Sequence, residues 1–141
     1  MNYSSITKIE LGTTDINFNA TGADTLLIDP LACTGMDQLP ARTPVYVKAA
    51  TDGANVFPFL KDARPIVLAG IVLIVSSSTE AGYVTARETL IASTITLLDG
   101  MLTTAGVLTW PSNTLSVYST GGASFPGGFQ KRFLIPLLAL T

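Results

Sequence analysis

The run Arg64-Pro65-Ile66-Val67-Leu68-Ala69-Gly70-Ile71-Val72-Leu73-Ile74-Val75 is apolar at odd and even positions alike and rich in β-branched residues. A strand with one wet face alternates apolar and polar side chains. This one does not, so both of its faces need cover. One face can pack on the chain's own core. In a chain of 141 residues with little helix, the other face needs a second subunit. The pattern favours assembly over a self-contained enzyme.

Charge supports the same direction. Charged residues make up 13% of the chain, where about 25% is usual. A surface so poor in charge is sticky if all of it meets water. The apolar C-terminal stretch Phe133–Leu140 adds to this, and together they point to an oligomer or a part of a larger particle rather than an apolar-rich monomer. The length suits one domain over residues 1–141. The uncharged run Ile66–Val75 is far short of the ~20 residues of a spanning helix, so no membrane partner is expected. Met1-Asn2-Tyr3-Ser4-Ser5 lacks the basic start of a secretion signal, and no apolar stretch follows it.

Several chemistries lack their residues. The chain contains no histidine, which removes the commonest general base and metal ligand and any Ser-His-Asp triad. Lys8, Lys48, Lys61 and Lys131 stand apart from one another, with no Ser-Lys arrangement evident. Asp15, Asp24, Asp29 and Asp37 sit in turn contexts, where aspartate is structural. The glycine-rich segment 121–128 lacks the Gly-Lys-Ser/Thr ending of a phosphate loop and reads as a flexible corner. Cys33 is the lone cysteine; it excludes an internal disulfide and reads as a small buried residue. No cofactor or metal is expected, and no enzymatic activity. A net charge of −2 argues against a basic nucleic-acid reader, yet suits a wall past which DNA slides without sticking.

The elements read as mostly antiparallel strands with one helix. Ile6–Leu11, Ile16–Asn19 and Thr25–Ile28 are short strands, with turns at Gly12–Asp15 and Thr21–Asp24, the second consistent with a hairpin. Asp29–Pro44 is a loop, and Pro44–Ala49 resumes strand character. Val56–Leu60 is a short strand or an extended arm. Pro65 opens the long strand, which runs to about Ser76. The helix is predicted to start near Thr85, where Thr85-Ala86-Arg87-Glu88 has capping-box form; a start near Ser78 or Thr79 is the alternative, weakened by Gly82. Ile91, Ile95, Leu98 and Leu102 share its apolar face. Gly106–Trp110 and Thr114–Thr120 form a hairpin about Pro111-Ser112-Asn113, and Phe129–Leu140 is the last strand. The fold class is mainly β: a β-sandwich or open barrel with one flanking α-helix.

The candidate subunit-interface residues are Phe57, Phe59, Arg64, Val72, Leu73, Ile74 and Trp110. Val72, Leu73 and Ile74 lie on the two-faced strand. Arg64 and Arg87 could each clamp a neighbour's carboxylate or stay solvated. Trp110 reads first as a core residue and second as a subunit contact.

The order of segments from Asp62 to Leu138 resembles the N-terminal ring-forming domain of siphophage distal tail proteins. It comprises Arg64–Gly70, then Ser77-Ser78-Thr79-Glu80, then Arg87-Glu88-Thr89-Leu90, then Gly106-Val107-Leu108-Thr109-Trp110, and finally Phe133-Leu134-Ile135-Pro136-Leu137. About half the chain carries the resemblance, and no catalytic signature anchors it. It implies a tail-tube-like β-sandwich with a helix and an arm, present in the virion after assembly in the host cytoplasm. Copies would form a homo-oligomeric, hexameric ring around the DNA channel, joining tail tube and tail hub proteins. Ile66–Val75 would serve core and ring contact, the Val84–Leu102 helix would pack on the sandwich, and Pro40–Leu60 would be the arm. The extra carbohydrate-binding-like domain of larger members is not seen, which favours a structural adaptor. A tail tube or tail-completion subunit is the near alternative, a small-ligand-binding β-barrel the second, and an enzyme using carboxylates, serines or lysines the last.

Overall fold

The computed structural model describes residues 3–35, 41–42, 45–47, 54–56, 60–61, 64–126 and 132–139. The first turn, Tyr3–Ser5, leads into β1 (Lys8–Leu11) and β2 (Thr14–Asn17). These two strands form a tight hairpin whose turn is Gly12-Thr13, with Gly12 at a φ of 63° that glycine adopts without penalty. Because this turn needs only two residues, β2 begins at Thr14, earlier than the pattern predicted. Asp15 therefore lies in the ladder opposite Glu10 and not in a turn.

β3 (Thr25–Ile28) departs further from expectation. It makes no hairpin with β2 across residues 21–24. Its backbone groups go instead to β8 (Arg64–Leu73), with Thr25 opposite Leu73 and Ile28 opposite Gly70. Gly70 permits this approach: a Cβ there would lie 2.0 Å from the Leu27 carbonyl oxygen. Between β3 and β8 come two small antiparallel ladders. β4 (Ala41–Arg42) pairs with β7 (Leu60–Lys61), and β5 (Val45–Val47) pairs with β6 (Ala54–Val56), one nested inside the other along the chain.

After β8 the chain forms the helix α1 (Glu80–Gly100), then β9 (Gly106–Trp110), β10 (Asn113–Ser119) and β11 (Arg132–Ala139). The strand order is β2-β1-β9-β10-β11-β8-β3, antiparallel throughout. The two edges then meet. Phe18 bridges Leu26, the Asn19 N–H donates to the Leu26 carbonyl at 3.1 Å, and the Thr25 hydroxyl donates to the Asn17 carbonyl at 2.9 Å. Asn19, at a φ of 55°, fastens the seam: its amide donates to the Ile6 carbonyl and its amide oxygen accepts from the Ile28 N–H. The result is a nearly closed, mainly β barrel with one helix, the open-barrel form of the expected class.

β8 stops at Leu73, short of the predicted Ser76, because the next N–H groups have another acceptor. Asp24 Oδ1 accepts from Val75 N–H at 2.9 Å and Ser76 N–H at 3.0 Å, and its Oδ2 accepts from the Ser76 hydroxyl. The helix likewise starts earlier than Thr85. Thr79 is the N-cap, its hydroxyl accepting from Gly82 N–H. Thr85 is interior, and its hydroxyl donates back to the Ala81 carbonyl. Gly82, which weakened this start on paper, is what the cap requires: a Cβ there would lie 2.0 Å from the Ser77 hydroxyl oxygen.

β8 and β10 finish at the end of the barrel where β3, β9 and β11 begin. α1 joins β8 to β9 at that end and contacts β1 and β2. Leu97, Leu98 and Met101 enter the core there, among Ile9, Phe18, Leu26, Ile66, Leu68, Leu108, Val117 and Ile135. Side chains fill the barrel centre, so the interior is core rather than a ligand cup.

Candidate assembly face

The alternation of inward residues defines what each strand shows to the outside. Ile9, Leu108, Leu115 and Val117 point inward, and so do Ile66, Leu68, Val72, Phe133, Ile135 and Leu137. On β1, β2, β9 and β10 the outward set is polar: Lys8, Glu10, Asp15, Asn17, Thr109, Thr114 and Ser116, with Val107 and Tyr118. Lys8 and Glu10 neutralise each other at 3.1 Å. On β3, β8 and β11 the outward set is apolar. It comprises Leu27, then Pro65, Val67, Ala69, Ile71 and Leu73, then Leu134, Pro136 and Leu138, with the buried Thr25 at the start of β3 and Arg132 at the start of β11. The barrel thus has one wall suited to water and one that is not.

The apolar wall is only partly covered by its own chain. The segment after β3 runs on along the same edge of β8, with Asp29 N–H donating to the Ala69 carbonyl and Thr34 exchanging two hydrogen bonds with Val67. On the other flank Ser124 exchanges two with Leu134. A groove of about 510 Å3 remains on the wall, lined by Asp29, Ala69, Ile71, Pro126, Arg132 and Leu134 among others. Leu27, Ile71 and Leu134 stay 37–40% exposed.

Two prolines lie on this wall, Pro65 opposite Leu138 and Pro136 opposite Val67. Val67 N–H points to Thr34 and Leu134 N–H points to Ser124. Pro136 shares the parity of Leu134, so its missing donor faces the β10 side, where its own carbonyl still accepts from Thr120 N–H at 3.4 Å. Beside Pro136, β10 has ended and the chain turns at Gly121 and Gly122, with φ of 78° and 77°. Proline interrupts a sheet only where its absent N–H would have had a partner.

The residues singled out from the sequence distribute unevenly. Phe57 and Phe59 lie outside the described residues. Val72 and Trp110 are buried in this subunit's own core and present no surface. Leu73 is half-buried on the outward parity of β8, and Ile74 packs at the margin of the core. Arg64 is half-buried, with its Nε buried and without a hydrogen-bond partner. Arg87, read as free to clamp a neighbour, is instead buried, and its Nη2 donates to the Pro126 carbonyl. It ties the helix to the loop before β11, with Glu88 at 4.0 Å from Nη1 and Nε unpaired. Cys33 is buried under the wall, and that burial raises its thiol pKa above the usual range; its sulfur lies 3.2 Å from the Asp29 carbonyl oxygen. Leu27, Ile71 and Leu134 were missed as surface residues. The signal was present in β11, where apolar side chains occupy both parities as they do in β8.

Among the described residues no cluster of three or more His, Cys, Asp or Glu is placed to hold a metal ion. No described helix is long and apolar enough to cross a membrane.

No family model matches the chain, and no curated protein matches it. A solved structure does: the Dit protein of phage SPP1, described as a paradigm of the hub adsorption apparatus in phages that infect Gram-positive bacteria. The superposition has a TM-score of 0.53 at 18% identity and covers 95% of this chain. The likeness is one of fold. The chain spans about half the length of that protein, 49% of it being covered.

Proposed function

We propose that this chain is a structural component of a long-tailed phage virion. It forms, as one domain, a hexameric ring that connects the tail tube to the tail-tip hub around the DNA channel. The observation that carries this is the apolar outer wall of β3, β8 and β11, on a fold shared with a phage hub protein. A lone subunit leaves that wall partly in water. Burying what remains exposed of Leu27, Ile71 and Leu134 contributes about 1–2 kcal/mol each before association costs. A closed ring repeats one pair of contacts around an axis and buries such a wall in every copy. The nested ladders β4–β7 and β5–β6 are the arm that reaches an adjoining subunit. The polar wall of β1, β2, β9 and β10 remains for solvent, and its Lys8 is held by Glu10 rather than free to grip phosphates.

Light scattering of the purified protein, with negative-stain images of the same sample, tests this. Rings of about six subunits support it. Long stacks move the assignment to a tail-tube subunit. A monomer at every concentration overturns self-assembly, and with the interior already filled it leaves the groove as the place to seek a ligand.

A further inference from the structure

The ring reading leaves open which surfaces meet, and the helix supplies a second unmatched surface. Val84, Glu88, Ala92, Ile95, Asp99 and Leu102 are all exposed, and their 4-4-3-4-3 spacing puts them on one flank of α1 and its C-terminal turn. Ile95 and Leu102 have the spacing of core residues with Ile91 and Leu98, yet only the latter two are buried. Val84, Ile95 and Leu102 remain 41–51% exposed. The charges on this flank are both acidic, Glu88 and Asp99, and among the described residues neither has a cation closer than the 4.0 Å contact between Glu88 and Arg87.

The groove on the opposite kind of surface is complementary. It is apolar, it bears Arg132, and Arg132 has no ion-pair partner among the described residues. Its acid, Asp29, already accepts from Leu31 N–H.

We infer that, in the ring proposed above, the Val84–Leu102 flank of one copy seats in the groove on β8 and β11 of the next, with Arg132 against Glu88 or Asp99. The contact is heterologous: two different patches of one chain meet, which is what a ring of more than two copies needs. It also places the exposed Ile95 against the exposed Leu134, giving both a dry environment.

The test uses the full-length chain with single cysteines. Ile95→Cys and Leu134→Cys, each alone and then co-expressed, are oxidised and run without reductant; Cys33 is buried and stays in place. A disulfide-linked dimer from the co-expressed pair, absent from either variant alone, is the expected result. In parallel, Arg132→Glu weakens association by about tenfold, the loss of one charge-assisted contact. Adding Glu88→Arg and Asp99→Arg to the same chain restores it. Linkage of Leu134→Cys to itself shows a symmetric sheet-to-sheet contact and overturns the inference. Oligomers by light scattering with no linkage in the mixture also overturn it, while the ring reading stands. A folded monomer by circular dichroism and light scattering overturns both.

Discussion

Single atoms decide where this chain can and cannot change. Gly70 sits in the middle of the longest strand, where glycine ordinarily weakens a sheet. Here its missing Cβ is the space through which β3 reaches β8, with backbone atoms of Leu27 and Ile28 within 3 Å of where that Cβ would be. Backbone cannot yield as a side-chain tip can. Gly70→Ala should therefore destabilise the fold by at least the 1–3 kcal/mol typical of overpacking. Chemical denaturation of the two proteins checks this, and an unchanged midpoint would mean that β3 does not pack as described. Arg87 makes a related point about charge. Its spacing near a helix start reads as solvated, yet the fold buries it and gives its guanidinium a loop carbonyl to hold. Nothing local in the sequence distinguishes the two fates.

At the scale of elements, segment types were legible and their limits were not. β8 and β11 announce themselves by apolar residues on both parities, and the helix by its periodic leucines and isoleucines. The ends depend on acceptors far along the chain. Asp24 ends β8 by taking the N–H groups of Val75 and Ser76, more than fifty residues away. These bonds, the Ser76 hydroxyl first, hold the Asp24 carboxyl below its ordinary value of 3.8. A depressed carboxylate contributes stability above its unfolded pKa and loses it as pH falls through the folded one. Asp24→Asn should thus be less stable than the parent at neutral pH, by about 1 kcal/mol. The difference should close as pH drops below 3.8. Thermal melts of both proteins across that range check the sign; a gap that stays constant into acid would show that charge is not involved.

At the scale of the whole molecule, the two outer walls are the main result. Substituting outward residues should separate folding from assembly in a way that inward ones do not. Ile71→Lys places its ammonium on the apolar wall and should leave a folded chain that no longer associates. Val72→Lys, one residue on, puts a charge into the core and should abolish folding. Circular dichroism and light scattering on the pair give the answer. Loss of fold in both would mean that the wall is core, and association retained in Ile71→Lys would mean that the contact lies elsewhere.

Composition and periodicity were enough to establish the mainly β class, the single helix and a long strand apolar on both faces. These follow from which side chains occur and how often they recur, and no partner need be known to read them. Pairing was a different matter. β3 could have folded back on β2, and it is the close approach at Gly70 that admits it to β8. Nor could spacing say which of four helical apolar residues would be buried. Ile91 and Leu98 are inside while Ile95 and Leu102 are outside, because only one side of the helix lies against the barrel, where it meets β1 and β2. Burial is a property of what lies opposite, and the sequence carries only one side of each contact.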